Sequence, residues 1–164
     1  MRHERSQPDC RAATRLQREW NGRRAGVAAV EAALLLPICL IGLIALLDLA
    51  LAVAQYNSLA ECARRGARAA IVRGGQSSVV SPIGPDAWTG TADQSHSLTD
   101  EFRSLLVSMP PGDVQVTAEW PDGDNRRGDR VSVTLSFEHT SLVTTLFGSE
   151  PWQLTAASTM RIVH

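Results

Sequence analysis

Lysine is absent from this chain of 164 residues: all 16 basic side chains are arginines, set against 17 acids, with a formal net charge of −1. No polyvalent partner of either sign is selected by that balance. The eight aromatics (four Trp, three Phe, one Tyr) are scattered instead of interleaved with Arg, so a basic nucleic-acid-binding domain is excluded. Cysteine is scarce: Cys10, Cys39 and Cys62 lie in the first 62 residues and none has metal-ligand spacing. A disulfide framework is therefore excluded, and Cys39, inside an apolar run, reads as a small polarizable filler. His3, His96, His139 and His164 are isolated from one another, and no nucleophile elbow, phosphate-cradling glycine loop or zinc spacing occurs. The expectation is no catalytic activity, no cofactor and no metal. Asp122, Asp124 and Asp129 sit in one loop, but Arg126 and Arg127 occupy positions where a calcium loop needs a ligand and a glycine, so a solvated turn is expected.

What charge there is comes in blocks. Residues 1–24 carry seven Arg against three acids, 25–63 three acids and no base, 64–73 four Arg, and 74–164 five Arg against eleven acids. The second block holds the most informative feature. Ala32–Leu47 is free of charge, and with 25–30 on the other side of Glu31 it makes 23 residues, about 34 Å of helix at about 1.5 Å per residue, enough to span a bilayer. A chain this small has too little other apolar surface to wrap a helix that is hydrophobic all round, which argues against a soluble core helix. Pro37 would break a soluble helix interior but is tolerated in a membrane helix. A secretory signal cut after Ala54, within Ala52-Val53-Ala54, is the competing reading. The apolar region is longer than a usual signal core and is interrupted by Glu31 and Asp48.

Arg11, Arg15, Arg18, Arg23 and Arg24 precede the apolar run, whereas Arg64, Arg65 and Arg68 follow at a greater distance. The positive-inside bias predicts a cytoplasmic N-terminus and an exported remainder. The helix is expected to continue through 49–72 as an amphipathic extension. Glu61, Arg64, Arg65 and Arg68 share a solvated face with a Glu61–Arg65 pair, while Tyr56, Ala60, Ala63, Ala67 and Ala70 form a stripe for close packing, and Gly74-Gly75 supplies the stop.

Residues 74–95 are rich in Gly, Ser, Pro and Thr and read as loop or linker. A short helix is predicted at 98–108, capped by Ser97 or Thr99, with Leu98, Phe102, Leu105 and Leu106 on one face and Pro110-Pro111 at its end. Three alternating runs then predict strands: Val114, Val116, Ala118 and Trp120; Val131, Val133, Leu135 and Phe137; Leu154, Ala156, Ser158, Met160 and Ile162. The turn-rich residues 121–129 make the first two an antiparallel pair.

One constellation carries a mechanism. Gly26 lies at the membrane boundary behind the basic segment, and Glu31 follows five residues later in otherwise apolar helix. An ionised acid deep in a bilayer costs about 3 kcal/mol, and less near the interface, so it is expected to be functional or partnered. A cut after Gly26 would give Val27 a free α-amino group that a neighbouring subunit's Glu31 could neutralise, fixing the register between packed helices. Snorkelling of Glu31 to the interface is the alternative, and the residues alone leave the two even.

Gly26, Glu31 and Pro37, the apolar helix and the run RRGARAA at 64–70 resemble the TadE-like proteins, pseudopilins of tight-adherence (Flp-type) pilus systems, over about residues 23–73. At residue 32 this chain has Ala where that family commonly has an aromatic. The resemblance implies a minor pseudopilin of the inner membrane, processed by a prepilin peptidase between Gly26 and Val27. It implies partnership with the membrane, other pilin and pseudopilin subunits and inner-membrane pilus assembly proteins, and a function in adhesion and secretion. The fold class expected is α+β and type IV pilin-like: a basic cytoplasmic leader at 1–26, a transmembrane helix with its extension at 27–73, a linker at 74–96, and an exported head at 97–164 with a short helix and a three-stranded antiparallel sheet. Two rival readings are an unprocessed single-pass anchor that presents a binding head, and a secreted soluble binding domain cleaved after Ala54.

Overall fold

The computed structural model describes residues 10–77, 82–141, 143, 145, 148 and 150–163. Residues 1–9 of the expected leader and 78–81 of the expected linker lie outside them. The chain divides into two compact units, residues 1–44 and 45–164. A single helix, α1 (Cys10–Val72), supplies the first unit and the opening of the second, with Pro37 in its interior. In the first unit every described side chain from Gly26 to Leu43 is exposed.

In the second unit α1 lays one seam against a sheet. Ala52, Gln55, Leu59, Cys62, Ala63, Gly66, Ala67 and Ala70 are buried, at the alternating spacing of three and four residues that keeps one face of a helix toward its neighbour. The predicted alanine stripe is therefore correct at Ala63, Ala67 and Ala70 and wrong at Tyr56, which is 48% exposed. The residue on the seam is Gln55; one position corresponds to about 100° of rotation, which turns Tyr56 outward. The helix ends just before Gly74-Gly75, as expected, though neither glycine takes a left-handed conformation. Gly75 is used for close approach. Its N–H donates to the Asn125 carbonyl, and an added Cβ would stand 3.0 Å from that oxygen.

The sheet has four antiparallel strands, not the three predicted, in the order β1 (Trp88–Thr91), β2 (Gln115–Glu119), β3 (Arg130–His139), β4 (Trp152–Arg161). The additional strand lies in the stretch read as loop. It has four residues, one of them Gly90, so no alternation announces it; it exists because Trp88–Thr91 pairs with Gln115–Ala118. The other three strands fall where the alternation puts them. Val116 and Ala118 of β2 pair with Leu135 and Val133 of β3, and Leu135 and Val133 pair in turn with Ala156 and Ser158 of β4. One face is thereby made of Val131, Val133, Leu135, Val116, Ala118 and Ala156, all buried against α1.

The predicted short helix is present as two 3-10 turns, Thr99–Glu101 and Arg103–Leu105, followed by a third at Pro111–Asp113. An α-helix fails here because Phe102 leaves helical geometry (φ −127°, ψ −5°) and its carbonyl accepts from Leu105 N–H, with the Cys62 thiol donating to the same oxygen. The expected anchors still face inward: Leu98, Phe102 and Leu106 are buried and Leu105 is partly buried. Thr99 holds the entry to the first turn, accepting from His96 N–H and placing its own hydroxyl 2.7 Å from the Gln94 carbonyl.

Candidate membrane anchor and assembly site

Among the described residues, the stretch Gly26–Val72 of α1 is the one helix long and apolar enough to cross a membrane, and none of its most apolar window is covered by protein. Leu34, Leu36, Ile38, Leu46 and Leu47 are each more than 60% exposed. Such a density of bare large side chains is untenable in water and fits lipid. A core helix would be wrapped by the rest of the chain, so the soluble-core reading falls.

On that helix Gly26 has open space around it, with nothing within 4 Å of an added Cβ. Val27 is 69% exposed, and the Glu31 side chain is exposed one turn further on. Pro37 lies six residues after Glu31 and withholds the N–H that would bond the Ala33 carbonyl. The four residues thus stand along one helix, and no described residue of this chain brings them together into a pocket.

Asp48, the other acid of the apolar stretch, is held differently. Its Oδ2 accepts from Ser141 Oγ at 2.9 Å and from Val143 N–H at 3.0 Å. Two turns on, Gln55 is buried and its Oε1 lies 2.6 Å from Nδ1 of buried His139, while its amide nitrogen donates to the Ser108 carbonyl. Since an amide oxygen only accepts, Nδ1 of His139 carries the proton in this pair. These two ties fix the near end of the second unit to the helix. Sequence reasoning missed both, because the partners stand 93 and 84 residues away.

The run at 64–70 proves to be a packing device. Gly66 faces Val133 and Phe102, where an added Cβ would stand 3.2 Å and 3.3 Å away, and Ala63, Ala67 and Ala70 are wholly buried beside it. The small residues let the helix approach the sheet closely, while the arginines face out. Glu61 pairs with both Arg64 and Arg65, at 3.1 and 3.3 Å, so the expected Glu61–Arg65 pair is present with a second arginine sharing the carboxylate. Such exposed pairs are screened by solvent and contribute little.

In the loop between β2 and β3 the aspartates are engaged by arginines. Asp122 accepts from the Arg130 guanidinium at 2.7 Å and from Arg130 N–H at 2.8 Å. That hydrogen bonding holds its carboxyl down at about 2 and raises Arg130 in turn. Asp124 pairs with Arg126, and Asp129 accepts from Arg126 N–H. The arrangement is a self-satisfied turn, in keeping with the solvated reading.

Compared with known proteins, residues 26–68 match the family model of the TadE-like proteins, the same stretch that carries Gly26, Glu31, Pro37 and most of the 64–70 run. The match supports an involvement in tight-adherence pili, a family setting without known enzymes. No curated protein and no solved structure matches the chain.

Proposed function

We propose that this chain is a minor pseudopilin that takes part in assembling a tight-adherence (Flp-type) pilus at the inner membrane. Its N-terminal segment stays in the cytoplasm, α1 crosses the bilayer once, and the second unit is the exported head. A prepilin peptidase cuts between Gly26 and Val27, and the new Val27 amine pairs with Glu31 of a neighbouring pilin or pseudopilin subunit. That pair cancels two charges that would otherwise be costly to bury between packed helices and sets the axial register of those helices. Pro37 loosens the ladder one to two turns past the pair, where neighbouring helices adjust to one another.

The observation that carries this reading is the family match falling on a bare apolar helix whose exposed acid lies five residues after a glycine. The open surroundings of Gly26 are in keeping with access by a peptidase. A secreted domain cut after Ala54 is disfavoured, because the cut would strip Asp48 and buried Ala52 from the unit they help to hold. N-terminal sequencing of the membrane-extracted protein tests the proposal. A mature chain starting at Val27 is expected; retention of the arginine-rich leader would instead identify an unprocessed single-pass anchor.

A further inference from the structure

Two acids interrupt the apolar length of α1, and their settings differ. Glu31 is exposed, whereas the Asp48 carboxylate has donors at 2.9 and 3.0 Å from Ser141 and Val143. Past Asp48 the helix stays apolar: Leu49, Leu51 and Val53 are 51%, 43% and 52% exposed, and no further charged residue comes until Glu61. The sides of α1 that the head leaves uncovered between 49 and 54 therefore continue the surface presented by residues 32–47.

The head adds apolar surface at the same level. Trp152 is 50% exposed and its ring lies 6.5 Å from that of His139, the residue tied to Gln55. Tyr56, next along the helix, is 48% exposed. Val107, 69% exposed, adjoins Ser108, whose carbonyl accepts from Gln55. Among the described residues, the large exposed apolar side chains off α1 are Val107, Trp152 and Val163, and the first two lie at this end. Half-exposed Tyr and Trp beside an apolar helix are the composition of a membrane–water interface.

From this we infer that the head is seated in the outer lipid interface, with the boundary at Tyr56 and Trp152 instead of at Asp48. The inference rests on the membrane reading given above. A span needs about 20 helical residues, and the 20 that precede Tyr56 run from Leu36 to Gln55. Their one acid is Asp48, which brings its own hydrogen-bond donors, whereas a span ending at Leu47 must take in Glu31. Lipid tolerates a satisfied polar group better than a bare one. This register leaves Gly26 about 15 Å of helix outside the inner hydrocarbon edge, where a peptidase can reach it, and Glu31 at headgroup level until subunits pack.

Single cysteines placed in the full-length chain, with Cys10 and Cys39 changed to Ser and buried Cys62 retained, test the register in phosphatidylethanolamine–phosphatidylglycerol vesicles. Leu49→Cys, Val53→Cys and Val107→Cys are compared with Thr155→Cys on the exposed face of β4, using a membrane-impermeant maleimide. Thiols held in lipid stay protonated and out of reach, so the first three should label about tenfold more slowly than Thr155→Cys. Carbonate extraction of the same vesicles separates the two levels of the argument. Protein that resists extraction but labels at Val53→Cys as fast as at Thr155→Cys overturns the deep seating while keeping the span. Protein released by carbonate overturns the membrane reading and this inference with it.

Discussion

Replacing Gly66 by alanine tests whether the 64–70 run is built for close packing. The new methyl would meet Val133 Cγ1 at 3.2 Å and Phe102 Cε1 at 3.3 Å, and both neighbours are wholly buried. Overfilling a packed core by a methylene costs about 1–3 kcal/mol, while alanine in place of glycine within a helix returns about 1 kcal/mol. The net expectation is a loss of about 1 kcal/mol, read as a lower urea midpoint for the full chain in detergent with unchanged slope. Emission of Trp120, buried in the same core, reports the transition. A second arm isolates the cause. In a Val133→Ala background one of the two close contacts is gone while Phe102 remains, so Gly66→Ala should cost less there than in the native chain, shifting toward the helix-propensity gain of about 1 kcal/mol. If Gly66→Ala already stabilises the otherwise native chain, this position behaves as an open helical surface and the close-approach account is refuted.

Glu31→Gln should leave membrane insertion intact and impair co-assembly with other pilus subunits; normal piliation in cells carrying it would remove the pairing mechanism. Asp48→Ala removes a charged acceptor shared by Ser141 Oγ and Val143 N–H, the latter keeping Ser141 Oγ at 3.0 Å, and should cost about 1.5–3 kcal/mol for the loss of hydrogen bonding to a charged group, seen as reduced amide protection at Val143 by hydrogen exchange. Asp122 titrates near 2 in the folded head because Arg130 holds the charged form. A depressed carboxylate stabilises above its unfolded value, near 4, and that contribution is lost as the pH falls toward 2, so acid unfolding of Asp122→Asn should lack this component. In detergent, buried Cys62 should react with a maleimide only in denaturant; early loss of the Cys62 thiol would contradict its packing against Phe102.

The parts of the architecture that were legible are those written in local period or local composition. The alternation in Val131–Phe137 and Leu154–Ile162 survives as β3 and β4 because one face of each is covered by α1 and a shift by one residue would turn it to water. The apolar run at 25–47 needs only composition to be seen. Glu61 with Arg64 and Arg65 follows from helical spacing. What stayed hidden depends on distant partners: Trp88–Thr91 has no pattern of its own and becomes a strand through β2, and Gln55 replaces Tyr56 on the packing seam because His139 is there to receive it. The site divides the same way. Gly26, Glu31 and Pro37 announce themselves as misfits in greasy helix, but the group that would meet Glu31 belongs to another subunit, and Asp48 shows its role only once the chain has returned to place Ser141 beside it.

The last strand has a bearing on how such molecules avoid one another. Gly128 N–H donates to the Ile162 carbonyl and Ile162 N–H donates to the Asp129 carbonyl. Ile162 thus faces β3, and by alternation Gln153, Thr155, Ala157, Thr159 and Arg161 turn their amides and carbonyls to the open margin. That margin is ten residues long and contains neither proline nor lysine, the usual safeguards against fusion of sheets. Polarity supplies another. β4 starts beside His139, at the Gln55 end of the helix, and finishes where Val163 N–H reaches the Ile71 carbonyl. β4 thus runs in the same sense as residues 55–71 of α1, so copies standing side by side with those helix segments parallel bring these margins together in parallel, and the head-to-foot pairing by which bare strands most often zip together is denied to them.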